Sequence, residues 1–144
     1  MNRFPFRRCA FVAFTTLVFL LGCPVSAQRD AAELKADAAL EEKKYVPAIT
    51  MYTSMIVKTP RRFVLYLKRG IAYYHVGNYD KAARDFTAFI KLRPALVEGY
   101  VNRAYAYEKT GQYKEALADL EKADSLNPAL KNRELRERLL SATQ

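Results

Sequence analysis

The residues that most often carry catalysis and metal binding are scarce in this chain of 144 residues. Its two cysteines, Cys9 and Cys23, both lie in the N-terminal segment. His75 is the only histidine, and no Ser-His-Asp or Cys-His motif can be assembled around it. The five glycines form neither a dinucleotide-binding pattern nor a P-loop. The sequence therefore predicts a protein that is not an enzyme and that has no cofactor and no metal site.

The chain also lacks blocks of like charge, although its formal net charge is +9. No run of five like charges occurs, and acidic residues are interspersed among the 24 lysines and arginines. This distribution is typical of solvated helix faces, so the sequence argues against a nucleic-acid-binding surface. Loss of residues 1–27 would remove three arginines and no acid, which lowers the net charge to +6.

A permanent membrane span is not expected, because the apolar run Ala10–Leu21 has 12 residues and a spanning helix needs about 20. Three arginines precede this run, and Val25 and Ala27 offer the small side chains that a signal peptidase reads. We therefore expect residues 1–27 to be a signal peptide, cleaved between Ala27 and Gln28. The mature protein would be exported, either periplasmic or secreted.

A second route of processing stays open at Cys23. The stretch Leu20–Cys23 resembles a bacterial lipobox, in which the cysteine is lipidated and becomes the new N-terminus. Leu21 and Pro24 are unfavourable residues for that motif, so cleavage after Ala27 is preferred. Either route leaves the mature chain with no free thiol and no disulfide, so packing alone must hold it together.

The stretch Phe63–Leu96 has a helix–turn–helix pattern. Apolar residues recur at intervals of three and four on both sides of Gly77 and Asn78, as they do in amphipathic helices. Gly77 and Asn78 both tolerate positive φ, and Pro94 cannot continue a helix. At the expected crossing of the two helices, the small residues Gly70 and Ala82 would let the backbones approach closely.

The same pattern recurs 34 residues later and, more weakly, 34 residues earlier. Seven residues of the pattern recur unchanged in the later copy. They are Tyr66, Tyr73, Gly77, Tyr79, Ala82, Leu92 and Pro94, and they correspond in that order to Tyr100, Tyr107, Gly111, Tyr113, Ala116, Leu126 and Pro128. The earlier copy carries Ala36, Ala39, Tyr45, Ala48, Tyr52 and Pro60 at equivalent positions. Three copies in one register indicate a repeat protein.

This pattern resembles the tetratricopeptide repeat, a 34-residue pair of helices. The resemblance implies an all-α solenoid of antiparallel helix pairs in a short right-handed superhelix. The predicted units are repeats at 29–62, 63–96 and 97–130, and a capping helix with a tail at 131–144. Arg69 and Arg103 depart from the leucine of the pattern, and Lys43 replaces the turn glycine in the first copy.

In the family, the first helices of successive repeats line a concave groove that receives peptides. By this resemblance we expect a protein-interaction adaptor that binds a peptide or protein segment, with a lipid-anchored envelope protein that assists assembly of a larger complex as the alternative. The predicted groove residues are Leu34, Asp37, Leu40 and Glu41 from the first copy, Leu67, Lys68, Ile71, Tyr74 and His75 from the second, and Val101, Asn102, Tyr105, Glu108 and Lys109 from the third.

One subclass of the family is excluded by charge. Domains that clamp the C-terminal carboxylate of chaperones have Lys and Asn on the first repeat's inner face and a basic pair on the third's. The matching positions here are Glu33 and Asp37, then Glu98 and Asn102. Acidic side chains in these places would repel a carboxylate.

Overall fold

The computed structural model describes residues 31–129 and 132–143, so the predicted signal cleavage at Ala27–Gln28 and the alternative lipidation at Cys23 lie outside the described residues. The described segments form seven α-helices. They are α1 Ala31–Glu41, α2 Tyr45–Lys58, α3 Phe63–His75, α4 Tyr79–Leu92, α5 Val97–Thr110, α6 Tyr113–Leu126 and α7 Arg133–Ala142.

The helices stack in the order of the chain. Each packs mainly against its neighbours in sequence, and α3 also contacts α5. Within the described segments there is no strand, so the predicted all-α helix-pair solenoid is confirmed. None of the helices in these segments combines the length and hydropathy that crossing a membrane requires.

The turn inside each helix pair is the same turn, repeated. Its central residue has positive φ, which is 59° at Lys43, 78° at Gly77 and 76° at Gly111. In the second turn, the next residue, Asn78, donates its backbone N–H to the Tyr73 carbonyl at 2.9 Å, five residues earlier. Equivalent bonds close the first and third turns at 2.8 and 2.9 Å. This is the helix-ending geometry that glycine favours, so the turns lie where the sequence predicts them.

Among the described residues, the core consists of three clusters of buried side chains, and each cluster is completed by the helix that follows the pair. Leu65 of α3 completes the cluster between α1 and α2, and Ala106 of α5 joins the cluster between α3 and α4. Leu135 and Leu139 of α7 cover the cluster between α5 and α6. Because a helix pair cannot bury its apolar face alone, each pair depends on the next one along the chain.

The two helices of the second pair approach each other closely at Gly70. A Cβ atom added there would lie 2.6 Å from Cε1 of Phe86, whose ring is buried on α4. Ala82 is fully buried at the same interface. Both small residues occupy the crossing at which the sequence predicts close contact.

Arg103 forms a buried ion pair that links three helices. Its guanidinium donates to both carboxylate oxygens of Asp119 on α6, at 2.7 and 2.6 Å, and to the Thr87 hydroxyl on α4 at 2.9 Å. The same arrangement, one repeat earlier, joins Arg69, Asp85 and Thr53. The two arginines that depart from the leucine of the repeat pattern therefore connect each helix pair to the preceding one.

Candidate functional site

A cavity of about 250 Å³ opens between α3 and α5. It is lined by Ile71, Tyr74, His75, Phe86, Asn102 and Tyr105. Five of these six side chains are predicted groove residues. The sixth, Phe86, comes from α4 and is 1 % exposed, so it forms an apolar floor.

Helical spacing explains how these side chains meet. Tyr74 and His75 follow Ile71 by three and four residues, so the three share one face of α3. Asn102 and Tyr105 are three residues apart and share one face of α5. Because α3 contacts α5 directly, the two stripes form opposite walls of the cavity.

Tyr74 is held in place by other aromatic rings. Its ring lies edge-on to His75, with centroids 5.9 Å apart, and to Tyr79, with centroids 5.2 Å apart. Burial and, secondarily, the negative charge of Glu108 raise the pKa of the Tyr74 hydroxyl. Tyr74 is thus a neutral, rigid side chain that keeps part of its surface on the cavity.

His75 stacks flat on Tyr45, the first residue of α2. The ring centroids are 4.7 Å apart and the planes differ by 9°. His75 is exposed, and no cluster of metal-ligating side chains occurs in residues 31–129 and 132–143. The stack connects the first repeat to the cavity and gives His75 a packing role.

Lys68 lies in a network of carboxylates and does not point freely into the groove. Its ammonium group donates to both oxygens of Asp37, at 2.8 and 2.6 Å, and to Glu33 at 3.2 Å. Glu33 is buried and also pairs with Arg62. The Tyr52 hydroxyl donates to Asp37 at 2.7 Å, and burial, together with that bond, raises the pKa of Tyr52. The positive charge of Lys68 is therefore matched within the protein.

The remaining predicted groove residues of the last two copies differ in exposure. Leu67 packs against the core cluster of α3 and α4. Val101 is half-buried, and Lys109 is exposed. Glu108 forms an ion pair with Arg138 of α7, at 2.7 Å, so α7 extends this face of the molecule by one helix.

Sequence reasoning did not assign Phe86, Tyr45 and Arg138 to the site. Phe86 belongs to the apolar series of α4, and nothing in its spacing shows that its ring reaches a surface cavity. Tyr45 and His75 are 30 residues apart, as are Glu108 and Arg138. No local periodicity predicts a contact at that separation.

Sequence models of the tetratricopeptide repeat match residues 34–100 and 97–130. Residues 34–130 are tetratricopeptide repeats. No curated protein matches the chain in sequence.

Solved structures of tetratricopeptide repeat domains are similar to this chain. The first such domain of Spaghetti (RPAP3), bound to the HSP90 peptide SRMEEVD, aligns with a TM-score of 0.70 and 26 % identity over 78 % of this chain and 88 % of that one. The second such domain of human RPAP3, in complex with the HSP70 peptide SGPTIEEVD, has a TM-score of 0.70 and 26 % identity over 78 % and 92 %. The Arabidopsis OM64 domain has a TM-score of 0.72 and 29 % identity over 77 % and 95 %.

Proposed function

We propose that this protein is an exported, non-catalytic adaptor that binds a peptide or protein segment on its groove face. We define the groove face as the predicted groove residues of α1, α3 and α5, together with Glu98 of α5 and with Glu134 and Arg138 of α7. The observation that carries the proposal is the cavity between α3 and α5, with its walls of tyrosine, histidine and asparagine over an apolar floor.

The size of the cavity favours a single side chain as its occupant. Cavities that enclose drug-sized ligands measure roughly 300–1,000 Å³, whereas this one measures about 250 Å³. Interfaces draw much of their binding energy from a few large side chains that enter such pockets. The proposed occupant is therefore one aromatic or large aliphatic side chain of a partner.

The comparisons support binding of this general kind. Two structural neighbours are complexes with short peptides. Their fold is shared with this chain, and the tyrosine-lined cavity supplies a place where a peptide side chain could anchor. Fold alone does not determine the ligand, so the proposal rests on this cavity.

The proposal is tested by substitution of the two cavity tyrosines. A pull-down from envelope extract first identifies a partner. We expect Tyr74→Ala and Tyr105→Ala each to weaken its binding by about 1–2 kcal/mol, because each removes a rigid wall of the anchor site. Tyr113→Ala is the matched control, since Tyr113 is also half-buried but lies on α6, outside the cavity.

Thermal melting of all three variants separates loss of binding from loss of folding. Equal affinity of wild type and both cavity variants, measured by isothermal titration, would contradict the proposed function. So would an equal loss of affinity in Tyr113→Ala.

Export is the second part of the proposal, and it rests on the charge and apolar pattern of residues 1–27. Intact-mass analysis of the exported protein should give a chain that begins at Gln28. A mass that corresponds to a lipidated chain beginning at Cys23 would instead support the lipid-anchored alternative, in which the same groove face works at a membrane surface.

A further inference from the structure

The groove face is acidic, although the protein as a whole is basic. The residues of the groove face carry five carboxylates and three cations, a net charge of −2, whereas the chain without residues 1–27 has a formal net charge of +6. The carboxylates are those of Asp37, Glu41, Glu98, Glu108 and Glu134, and the cations are those of Lys68, Lys109 and Arg138.

Two of the three cations are already paired with carboxylates of the same face. Lys68 binds both oxygens of Asp37. Arg138 donates to Glu108 at 2.7 Å and to Glu134 at 3.0 Å. A partner carboxylate that approached Lys68 or Arg138 would have to compete with these short bonds, so the face offers little to an acidic ligand.

Acidic groups also lie on both sides of the cavity along α5. Glu98 lies one helical turn before Asn102, and Glu108 lies three residues after Tyr105. Glu41 ends α1 and lies one turn after Asp37 on the same helix. Glu41 and Glu98 are exposed, and neither forms an ion pair with any of the described residues.

We infer that the partner segment carries arginine or lysine on either side of an aromatic or large aliphatic anchor. This inference rests on the proposed function, and it specifies the chemistry of the ligand. The anchor enters the cavity between Tyr74 and Tyr105, and the flanking cations lie near Glu41 and Glu98. The peptides bound by the two structural neighbours, SRMEEVD and SGPTIEEVD, have the opposite charge.

Anchor and charges contribute differently to binding. An exposed ion pair contributes little to the free energy of binding, so the cavity provides most of the affinity. The acidic rim mainly selects among ligands, because it repels acidic segments and attracts basic ones. A basic segment should therefore lose more affinity at raised salt than a neutral segment with the same anchor.

A random peptide library displayed on phage tests the inference with the purified protein. We expect the selected peptides to combine an aromatic or large aliphatic residue with arginine or lysine within a few positions, and to be depleted in aspartate and glutamate. Selected peptides should lose binding to the Tyr74→Ala and Tyr105→Ala variants. That dependence shows that the cavity is the site.

Removal of two charges then tests the acidic rim. The double variant Glu41→Gln/Glu98→Gln keeps the shape of both side chains and should bind a selected basic peptide about three- to tenfold more weakly. The matched control is Glu115→Gln/Glu121→Gln, which removes two exposed charges from α6 and should leave the affinity unchanged.

The outcomes distinguish this inference from the proposed function. Selection of acidic or neutral peptides that depend on both tyrosines would overturn the inference and leave the proposed function in place. An equal effect of the two glutamine double variants would also overturn the inference. Failure to select any peptide, or selection of peptides that bind both tyrosine variants normally, would overturn the inference and the proposed function together.

Discussion

Single buried charges control how the repeats are joined, and Arg103 is the clearest case. Its side chain is 18 % exposed and that of its partner Asp119 is 7 % exposed. Replacement of Asp119 by alanine would leave the Arg103 guanidinium buried without its counter-ion. We expect Asp119→Ala to lower the free energy of unfolding by about 3–5 kcal/mol, as measured by urea denaturation.

Replacement of both Arg103 and Asp119 should lower the free energy of unfolding much less than replacement of Asp119 alone. The double variant Arg103→Leu/Asp119→Leu removes the buried charges together, and leucine is the residue that the repeat pattern has at position 103. Glu121→Ala, an exposed change on the same helix as Asp119, serves as the control. A double variant as unstable as Asp119→Ala would show that the contacts of Arg103 with Asp119 and Thr87 are not replaceable by apolar packing.

Tyr52 should make the protein sensitive to alkaline pH. In an unfolded chain a tyrosine ionises near pH 10, but in the folded protein burial and the hydrogen bond to Asp37 raise the pKa of Tyr52. Above about pH 10 only the unfolded chain loses this proton, so the free energy of unfolding falls as the pH rises, by about 1.4 kcal/mol per pH unit for this group.

The Tyr52→Phe variant isolates that contribution. It should be about 1–2 kcal/mol less stable than wild type at neutral pH, because the bond to Asp37 is lost. From about pH 10 upward the difference should shrink, since phenylalanine does not titrate. Chemical denaturation at a series of pH values measures the difference in free energy of unfolding between wild type and Tyr52→Phe. A difference that does not change with pH would contradict the prediction.

At the scale of helix pairs, the contact of Gly70 with Phe86 limits which residues α3 can accept. Alanine favours helix over glycine by about 1 kcal/mol, but its Cβ would lie 2.6 Å from a buried ring. Overpacking costs about 1–3 kcal/mol. We therefore expect Gly70→Ala to destabilise the protein in thermal and urea denaturation, although alanine has a higher helix propensity than glycine.

The third repeat suggests the compensating change. At the equivalent positions it has Ala104 with Leu120, both fully buried, where the second repeat has Gly70 with Phe86. The double variant Gly70→Ala/Phe86→Leu should therefore be more stable than the sum of the two single changes predicts, by about 1 kcal/mol or more. A double-mutant cycle measures this coupling, and strictly additive effects would show that the two positions do not compensate.

At the scale of the whole molecule, α7 covers the exposed end of the last repeat. Leu139 is fully buried against α5 and α6, whereas the adjacent Leu140 is 48 % exposed. Leu139→Ala should lower the free energy of unfolding by about 2–5 kcal/mol, and Leu140→Ala by about 1 kcal/mol or less. Because neighbouring repeats bury one another, the loss at Leu139 should appear in the unfolding of the whole stack.

The same pair of variants tests how cooperative the stack is. Circular dichroism at 222 nm reports all helices, so a single transition shifted by Leu139→Ala would show that the cap supports the entire array. If Leu139→Ala instead produced a separate early transition and left the main transition unchanged, the stack would not be cooperative. The effect of α7 would then be confined to the last repeat.

The amino-acid sequence was sufficient to predict the helices and turns. Gly77 and Gly111 occupy positive-φ positions, and Lys43 takes the same conformation at the equivalent place in the weaker copy. These features are local: an interval of three or four apolar residues defines a helix face, and a single residue defines a turn. The 34-residue register then predicts which helices pair, because each copy repeats the same packing positions.

The sequence also predicted part of the candidate site, through the resemblance and the helical stripes. Ile71, Tyr74 and His75 are one stripe on α3, and Asn102 and Tyr105 are one stripe on α5. The structure brings both stripes to one cavity.

Only the tertiary structure shows which charged side chains of that site are paired and which side chain forms its floor. Lys68 is matched by Asp37, 31 residues away, and Glu108 by Arg138, 30 residues away. Such pairs depend on distances between helices of different repeats, and the spacing of residues along the chain does not predict these distances. The backbone pattern is a local property of the chain, whereas the ion pairs of the groove face and the Phe86 floor depend on how closely the stacked helices approach.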